Sequence, residues 1–101
     1  MLFDIENETL MQYTGHEKTV YVPNGVKVIG TTAFRNSNEI EEIILPASVE
    51  VIEKEAFKGC RYLHSINIPD KVKALEYATF WACDSLRTIL LSTRLISIGS
   101  F

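Results

Sequence analysis

Residues 52–72 read IEKEAFKGCRYLHSINIPDKV, and nearly the same pattern occurs one step earlier and one step later in the chain. Apolar and special residues fall in columns with a constant spacing of 23 residues. A period in the twenties without insertions predicts a solenoid, in which each turn of chain covers the apolar edge of its neighbour. The columns are Pro23, Pro46 and Pro69; Phe34, Phe57 and Phe80; Val26, Val49, Val72 and Leu95; Ile29, Ile52, Leu75 and Ile98; Ile40, Leu63 and Leu86; Ile43, Ile66 and Ile89; and Leu45, Ile68 and Leu91.

One repeat, here called a rung, contains two short extended segments. Ile66 and Ile68 fall on one side of a first strand, because side chains alternate along a strand. Pro69 ends that strand, since proline has no N–H for a further ladder bond. A second segment follows the turn, and the Ala-Phe pair before Gly59 predicts a tight helical or 3₁₀ turn into the next rung. Stacked rungs then place the phenylalanines in one aromatic spine.

Composition limits the kinds of partner. With 101 residues the chain makes one domain, and 47% hydrophobic against 23% charged residues predicts a folded chain rather than a disordered one. The net charge of −3 and the lack of clustered Lys and Arg argue against a nucleic-acid partner. No apolar run approaches the roughly 20 residues of a membrane span, so no membrane insertion is expected. The acidic N-terminal stretch MLFDIENETL does not read as a signal peptide, although a removed leader is an open alternative that leaves the location unknown.

The string A-F-x-x-C-x-x-L-x-x-I-x-I-P-x-x-V-x-x-I resembles the BspA-like, or treponemal-type, leucine-rich repeat of many bacterial surface proteins, which are often cell-surface or secreted. The resemblance covers residues 13–100, with Ser37, Thr79 and Ser92 as departures from the Cys, Ala and Pro columns. It implies a β-rich, right-handed curved solenoid with short parallel strands on two faces. It also implies a hairpin-like N-terminal cap, residues 1–15, and about four rungs in residues 16–101. We number these rungs 16–38, 39–61, 62–84 and 85–101.

The two cysteines lie one period apart, at Cys60 and Cys83. Stacking brings their Cα atoms to a separation of about 5 Å, which permits a disulfide. Equivalent positions of a parallel ladder point in the same direction, however, so two reduced thiols bonded to the backbone are the favoured interpretation. A metal site would need more ligands at suitable spacing, and no metal or other cofactor is predicted.

No motif predicts catalysis. His16 and His64 are the only histidines, and neither stands in a nucleophile or metal motif. The glycines are scattered singly, so no phosphate-binding loop occurs. The sequence therefore predicts a protein that is not an enzyme.

The family fold implies that residues between the buried strand positions face a concave side. One such column contains Tyr21, Ile44, Asn67 and Leu90, where clustered apolar side chains indicate a contact site for a protein or peptide. The alternative is that these are isolated surface apolars of the ordinary kind. Two neighbouring columns face the same side, Glu41, His64 and Arg87, and Thr19, Glu42, Ser65 and Thr88. Among them Glu42, His64 and Arg87 are polar candidates for the same site.

Charges in one of these columns alternate between rungs. Glu41, His64 and Arg87 are therefore expected to pair from rung to rung. Trp81 occupies a column that holds Arg35 and Lys58 elsewhere, which places it on a rim. It is a candidate anchor for a partner, or its indole folds back over the last rung.

The C-terminal rung shows no polar cap after Leu95. A bare rung presents apolar side chains and strand edges, so Leu95, Ile98 and Phe101 are candidates for self-association as a homodimer. The functional hypotheses are thus a non-catalytic binding module on the concave face, or a structural unit that self-assembles or forms part of a longer repeat array. Substitutions at the concave face and at the C-terminal rung would distinguish these two hypotheses.

Overall fold

The structure is a computed structural model, and it describes residues 2–76 and 78–91 together with the backbone of residues 97–98. Ten short strands and no helix occur in these residues. The strands are β1 Phe3–Glu6, β2 Thr9–Tyr13, β3 Thr19–Tyr21, β4 Val28–Ile29, β5 Glu42–Ile44, β6 Val51–Ile52, β7 Ser65–Asn67, β8 Ala74–Leu75, β9 Thr88–Leu90 and β10 Ser97–Ile98.

The strands form two parallel stacks, as the repeat predicts. One sheet has the order β3-β5-β7-β9, and a second has the order β1-β2-β4-β6, with β8 and β10 paired further along. Equivalent positions pair between rungs, such as Val20 with Ile43 and Val28 with Val51. A β-rich solenoid with strands on two faces is thereby confirmed.

An antiparallel hairpin begins the chain. Strands β1 and β2 pair from Phe3 with Tyr13 to Glu6 with Thr9. Asn7 and Glu8 between them both have positive φ, the conformation of a two-residue hairpin turn. Strand β2 then pairs in parallel with β4, so the hairpin-like cap is confirmed and occupies the place of a preceding rung.

The proline column shapes one corner of every rung. The amides of Val26, Val49 and Val72 each donate to the carbonyl of the proline three residues earlier, at 3.4, 3.2 and 3.1 Å. This is the hydrogen bond of a β-turn, with the proline as its first residue. The chain therefore turns at the same point in each rung and leaves both strands parallel to their neighbours.

The core is one continuous apolar column between the two sheets. Val20, Ile43 and Ile66 are buried on the inner face of one sheet, and Ile29 and Ile52 on that of the other. The aromatic spine is confirmed by stacked rings, with centroids 5.3 Å apart for Phe34 and Phe57 and 5.5 Å for Phe57 and Phe80. The hairpin extends it, since Tyr13 lies 5.4 Å from Phe34 and Phe3 lies 5.2 Å from Tyr13.

The segment around each Ala-Phe pair differs from the predicted helical or 3₁₀ turn. It is a run of turns, because one residue before the pair and one after it have positive φ, as at Glu55 and Gly59. A left-handed residue ends a right-handed helical path. Alternate amides donate to the next rung, for example from Phe57 to the Thr79 carbonyl at 3.0 Å. The amides between them make i→i−3 turn bonds, such as that from Lys58 to the Glu55 carbonyl at 3.2 Å.

Membrane crossing by a helix needs both length and apolar character, and the described part of the chain contains no helix that meets these requirements.

Candidate functional site: the outer face of the β3-β5-β7-β9 sheet

The predicted contact column lies on the solvent side of the β3-β5-β7-β9 sheet, and we call it the outer strip: Tyr21, Ile44, Asn67 and Leu90. Ladder pairing aligns its members, with Tyr21 opposite Ile44 and Asn67 opposite Leu90. The residue before each of them points into the core, because side chains alternate along a strand. The sequence therefore located this strip correctly on the surface.

Exposure differs along the outer strip. Tyr21 is 69% exposed and Leu90 is 61% exposed, whereas Ile44 and Asn67 are half-buried. The strip thus has two projecting ends and a lower middle. Two projecting side chains with a lower surface between them are a relief that a complementary surface can enclose.

Asn67 has a second role that the column pattern did not predict. Its Oδ1 accepts a hydrogen bond from the Leu45 amide at 2.7 Å, and its Nδ2 donates to the Leu45 carbonyl at 3.0 Å. The β5–β7 ladder accordingly ends at Ile43 with Ile66, one pair short of the β3–β5 and β7–β9 ladders. The amide therefore joins two rungs, and its only signal in the sequence is a polar residue in an otherwise apolar column.

Two shallow depressions lie along the proline corner beside the strip. The first has a volume of about 350 Å³ and is lined by Tyr21, Ile44 and Pro46 with their neighbours. The second, of about 430 Å³, lies one rung further on, between Asn67 and Pro69. Equivalent depressions therefore occur beside the strip in two successive rungs, just as equivalent strands do.

The adjoining charged column changes sign along the sheet. His64 Nε2 lies 4.0 Å from Glu41 Oε1, so the predicted pairing between rungs is confirmed for these two residues. Exposed pairs of this kind contribute at most about 1 kcal/mol to stability. Glu41 and Glu42 make the β5 region acidic, and Arg87 next to β9 is basic and exposed. Charge on this face can therefore orient a partner.

Trp81 lies on the rim, 53% exposed. The Lys58 ammonium lies 4.5 Å from the centroid of its ring, and the same ammonium lies 3.7 Å from a Glu55 carboxylate oxygen. The indole thus leans on the preceding rung while half of its surface stays accessible. Of the predicted self-association residues, Leu95 and Phe101 lie outside the described residues, and only the backbone of Ile98 is described.

Both histidines pair with a glutamate one period away. His16 Nδ1 lies 2.6 Å from Glu39 Oε1, and His64 pairs with Glu41 as described above. Within the described residues, no group of three or more His, Cys, Asp or Glu side chains is placed to hold a metal ion. The geometry assigns these histidines to links between rungs.

Comparison with known proteins gives the family. Residues 4–101 match the profile of the BspA type Leucine rich repeat region, with six copies of the repeat. The chain belongs to this family. Repeat solenoids of this kind are typically non-enzymatic. The comparison with curated protein sequences gave no match.

Solved structures support the fold of this BspA-type chain. It is similar to a leucine-rich repeat protein of T. pallidum, with 28% identity, a TM-score of 0.85, and coverage of 96% of this chain and 50% of that one. It is also similar to a leucine-rich repeat protein of Bacteroides ovatus, with 35% identity, a TM-score of 0.78, and coverage of 91% and 26%. The chain thus spans about half the length of the first protein and about a quarter of the second.

The Cys column of the BspA-type repeat holds two free thiols here. Cys60 Sγ donates to the Phe34 carbonyl at 3.0 Å, and Cys83 Sγ donates to the Phe57 carbonyl at 3.1 Å. Each thiol therefore reaches back by one rung to the backbone, as the favoured interpretation of the sequence expects. Burial of Cys60 is complete, and Cys83 is partly exposed.

Proposed function

We propose that this chain is a non-catalytic binding module whose outer strip contacts a protein or peptide partner. The observation that carries the proposal is the alignment of exposed Tyr21 and Leu90 with half-buried Ile44 on one sheet face. Apolar side chains grouped in this way are typical of contact sites. The inner strands β5 and β7 have neighbours on both sides, so contact with them would come through side chains.

The charged residues beside the outer strip favour a particular arrangement of charges on the partner. Glu41 and Glu42 favour Lys or Arg opposite β5, whereas Arg87 favours Asp or Glu opposite β9. The partner surface we propose is therefore an apolar segment with basic residues at one end and acidic residues at the other. Curvature of this face towards the partner, and use of Trp81 as a rim anchor, belong to the same proposal.

The test uses a library of random peptides displayed on phage and selected against the immobilised chain. Tyr21→Glu and Ile44→Glu should each weaken binding of the selected peptides at least about tenfold, because a charge would replace an apolar contact. Val51→Glu is the matched control, since Val51 is a strand residue that is 45% exposed on the other sheet. Circular dichroism and thermal melting confirm that each variant is folded.

Equal loss of binding in Val51→Glu and Ile44→Glu would contradict a specific role for the outer strip. Failure to enrich any peptide that competes for this face would also count against the proposal. Adding salt should reduce the association rate if the charge arrangement contributes, since it screens the steering field.

Self-assembly stays a separate prediction. Its residues are Leu95, Ile98 and Phe101, whose side chains lie outside the described part of the chain. No described contact favours it over partner binding.

A further inference from the structure

Cys60 and Cys83 occupy the same position in the second and third rungs. The two rungs are in register on either side of this position, since the Gly59 amide donates to the Trp81 carbonyl at 2.8 Å before it and Ser65 pairs with Thr88 after it. Phe57 and Phe80, three residues earlier, stack with an interplanar angle of 6°. Neighbouring parallel chains in register are about 4.8 Å apart, which lies within the Cα separation found for disulfides.

The two thiols lie in neighbouring rungs, one repeat apart. Both are free, and each normally donates to a backbone carbonyl of the preceding rung. One sulfur must turn away from its carbonyl before a bond can form. Aligned side chains also place the two Cβ atoms about 4.8 Å apart, slightly beyond the range of disulfides, so the bond requires a small approach of the two rungs as well as the rotation.

We propose that Cys60 and Cys83 form a reversible disulfide that fastens the second rung to the third. Equivalent positions of a parallel ladder point their side chains in the same direction, so the bond is strained. Strained disulfides are more easily reduced than structural ones. The pair is therefore a redox-sensitive link within the solenoid.

The exposure and the pKa of the two thiols indicate which of them reacts first with an oxidant. Cys83 is the partly exposed thiol, whereas Cys60 is buried. Interaction with the neighbouring Cys60 side chain lowers the pKa of Cys83. The same interaction, together with burial, raises the pKa of Cys60. Cys83 is thus the thiol that meets the oxidant, and Cys60 is the thiol that resolves the mixed disulfide.

The oxidant we name is a small disulfide such as oxidised glutathione. The Cys83 thiolate attacks one of its sulfurs, the S–S bond of the oxidant breaks, and one glutathione thiolate leaves. Cys60 then loses its proton and attacks the Cys83 sulfur, which releases the second glutathione. In sum, two protein thiols are oxidised to one disulfide and one glutathione disulfide is reduced to two thiols.

The experiment incubates the reduced chain in buffers with increasing ratios of oxidised to reduced glutathione. Samples are quenched with acid and alkylated, and intact mass then counts the remaining thiols. The expected product has lost two hydrogens, carries no glutathione and links Cys60 to Cys83 by peptide mapping. Its melting temperature should exceed that of the reduced chain by at least about 5 °C, because the bond closes a loop in the unfolded chain.

Cys60→Ser and Cys83→Ser are the control variants, and serine at the equivalent Ser37 is already part of the chain. Cys60→Ser should stop at the mixed disulfide on Cys83, whereas Cys83→Ser should resist oxidation while folded. The wild-type measurement stands without them if either variant fails to fold. Products joined only between chains, or mixed disulfides without an internal link, would overturn the proposal. A linked product with an unchanged melting temperature would overturn the fastening role.

Discussion

Two residues in each Ala-Phe segment have a left-handed backbone, and they decide how the rung turns. The first precedes the Ala-Phe pair and the second follows it, four positions later. Left-handed φ is unfavourable for residues with a Cβ and favourable for glycine. The first set is Thr32, Glu55 and Ala78, with φ of 60, 59 and 55°, and the second is Asn36, Gly59 and Ala82, with φ of 58, 78 and 61°.

Gly59 is the residue that this conformation requires most strictly. A Cβ at this position would displace Asn36 Oδ1, the end of an exposed side chain, in addition to the backbone strain. Gly59→Ala should therefore reduce the free energy of unfolding by about 1–2 kcal/mol, measured by urea denaturation. Gly25→Ala is the control, because φ is also positive there but no atom lies within 4 Å of the added Cβ.

The control should lose about 1 kcal/mol, the strain of a left-handed alanine alone. Equal losses in the two variants would mean that the contact with Asn36 costs nothing. The sequence predicted a helical or 3₁₀ turn before Gly59, and the left-handed residues were not foreseen. Thr32 and Glu55 have a Cβ and do not favour a left-handed backbone, so their identity gave no sign of it.

At the scale of the strands, the β5–β7 ladder is completed by a side chain. The Asn67 amide supplies both a donor and an acceptor to Leu45, as a backbone peptide group would. Loss of either half leaves a half-buried backbone group without its partner. The third rung is thus attached to the second partly by one replaceable residue.

Asn67→Asp tests this attachment with almost no change in shape. The carboxylate keeps an acceptor for the Leu45 amide, but it cannot donate to the Leu45 carbonyl and repels it. We expect a loss of about 1–3 kcal/mol in the free energy of unfolding by urea denaturation. Asn24→Asp adds the same charge at an exposed position and should change stability by less than about 0.5 kcal/mol. A similar loss of stability in both variants would mean that the added negative charge, and not the lost hydrogen bond, causes the effect.

The strands could be predicted because each inward-facing position occurs three or four times in the repeat. Features that occur only once in the chain could not be predicted in this way. Tyr13 joins the aromatic spine although it precedes Phe34 by 21 residues rather than 23, since a hairpin and not a rung places it there. Asn67 was assigned to the surface by its column, and its amide contact depends on local geometry that the pattern does not contain.

Across the whole molecule, the rungs interact with their immediate neighbours. The aromatic spine makes this visible, because each ring contacts the next at a centroid distance between 5.2 and 5.5 Å from Phe3 to Phe80. Stability in such an array is a sum of rung and interface contributions. The surface that recognises a partner is not fixed by this packing, which is why the fold could be predicted and the partner could not.

Association state is the prediction at this scale. Multi-angle light scattering at several concentrations should give the mass of a homodimer if Leu95, Ile98 and Phe101 mediate self-association. Deleting Phe101 should then shift the mass towards the monomer. Tyr21→Glu should leave the mass unchanged, because the outer strip is a different surface. A wild-type monomer at micromolar concentration would exclude this mode of assembly.

The position of Trp81 has a practical consequence. It is the single tryptophan of the chain, and it lies against Lys58 across the boundary between the second and third rungs. Indole fluorescence therefore reports one interface, while circular dichroism reports the strands as a whole. Where the two signals change at the same denaturant concentration, the solenoid melts as one cooperative unit. Where fluorescence changes first, the boundary between the second and third rungs opens before the other strands melt, and the chain provides the optical probe without a label.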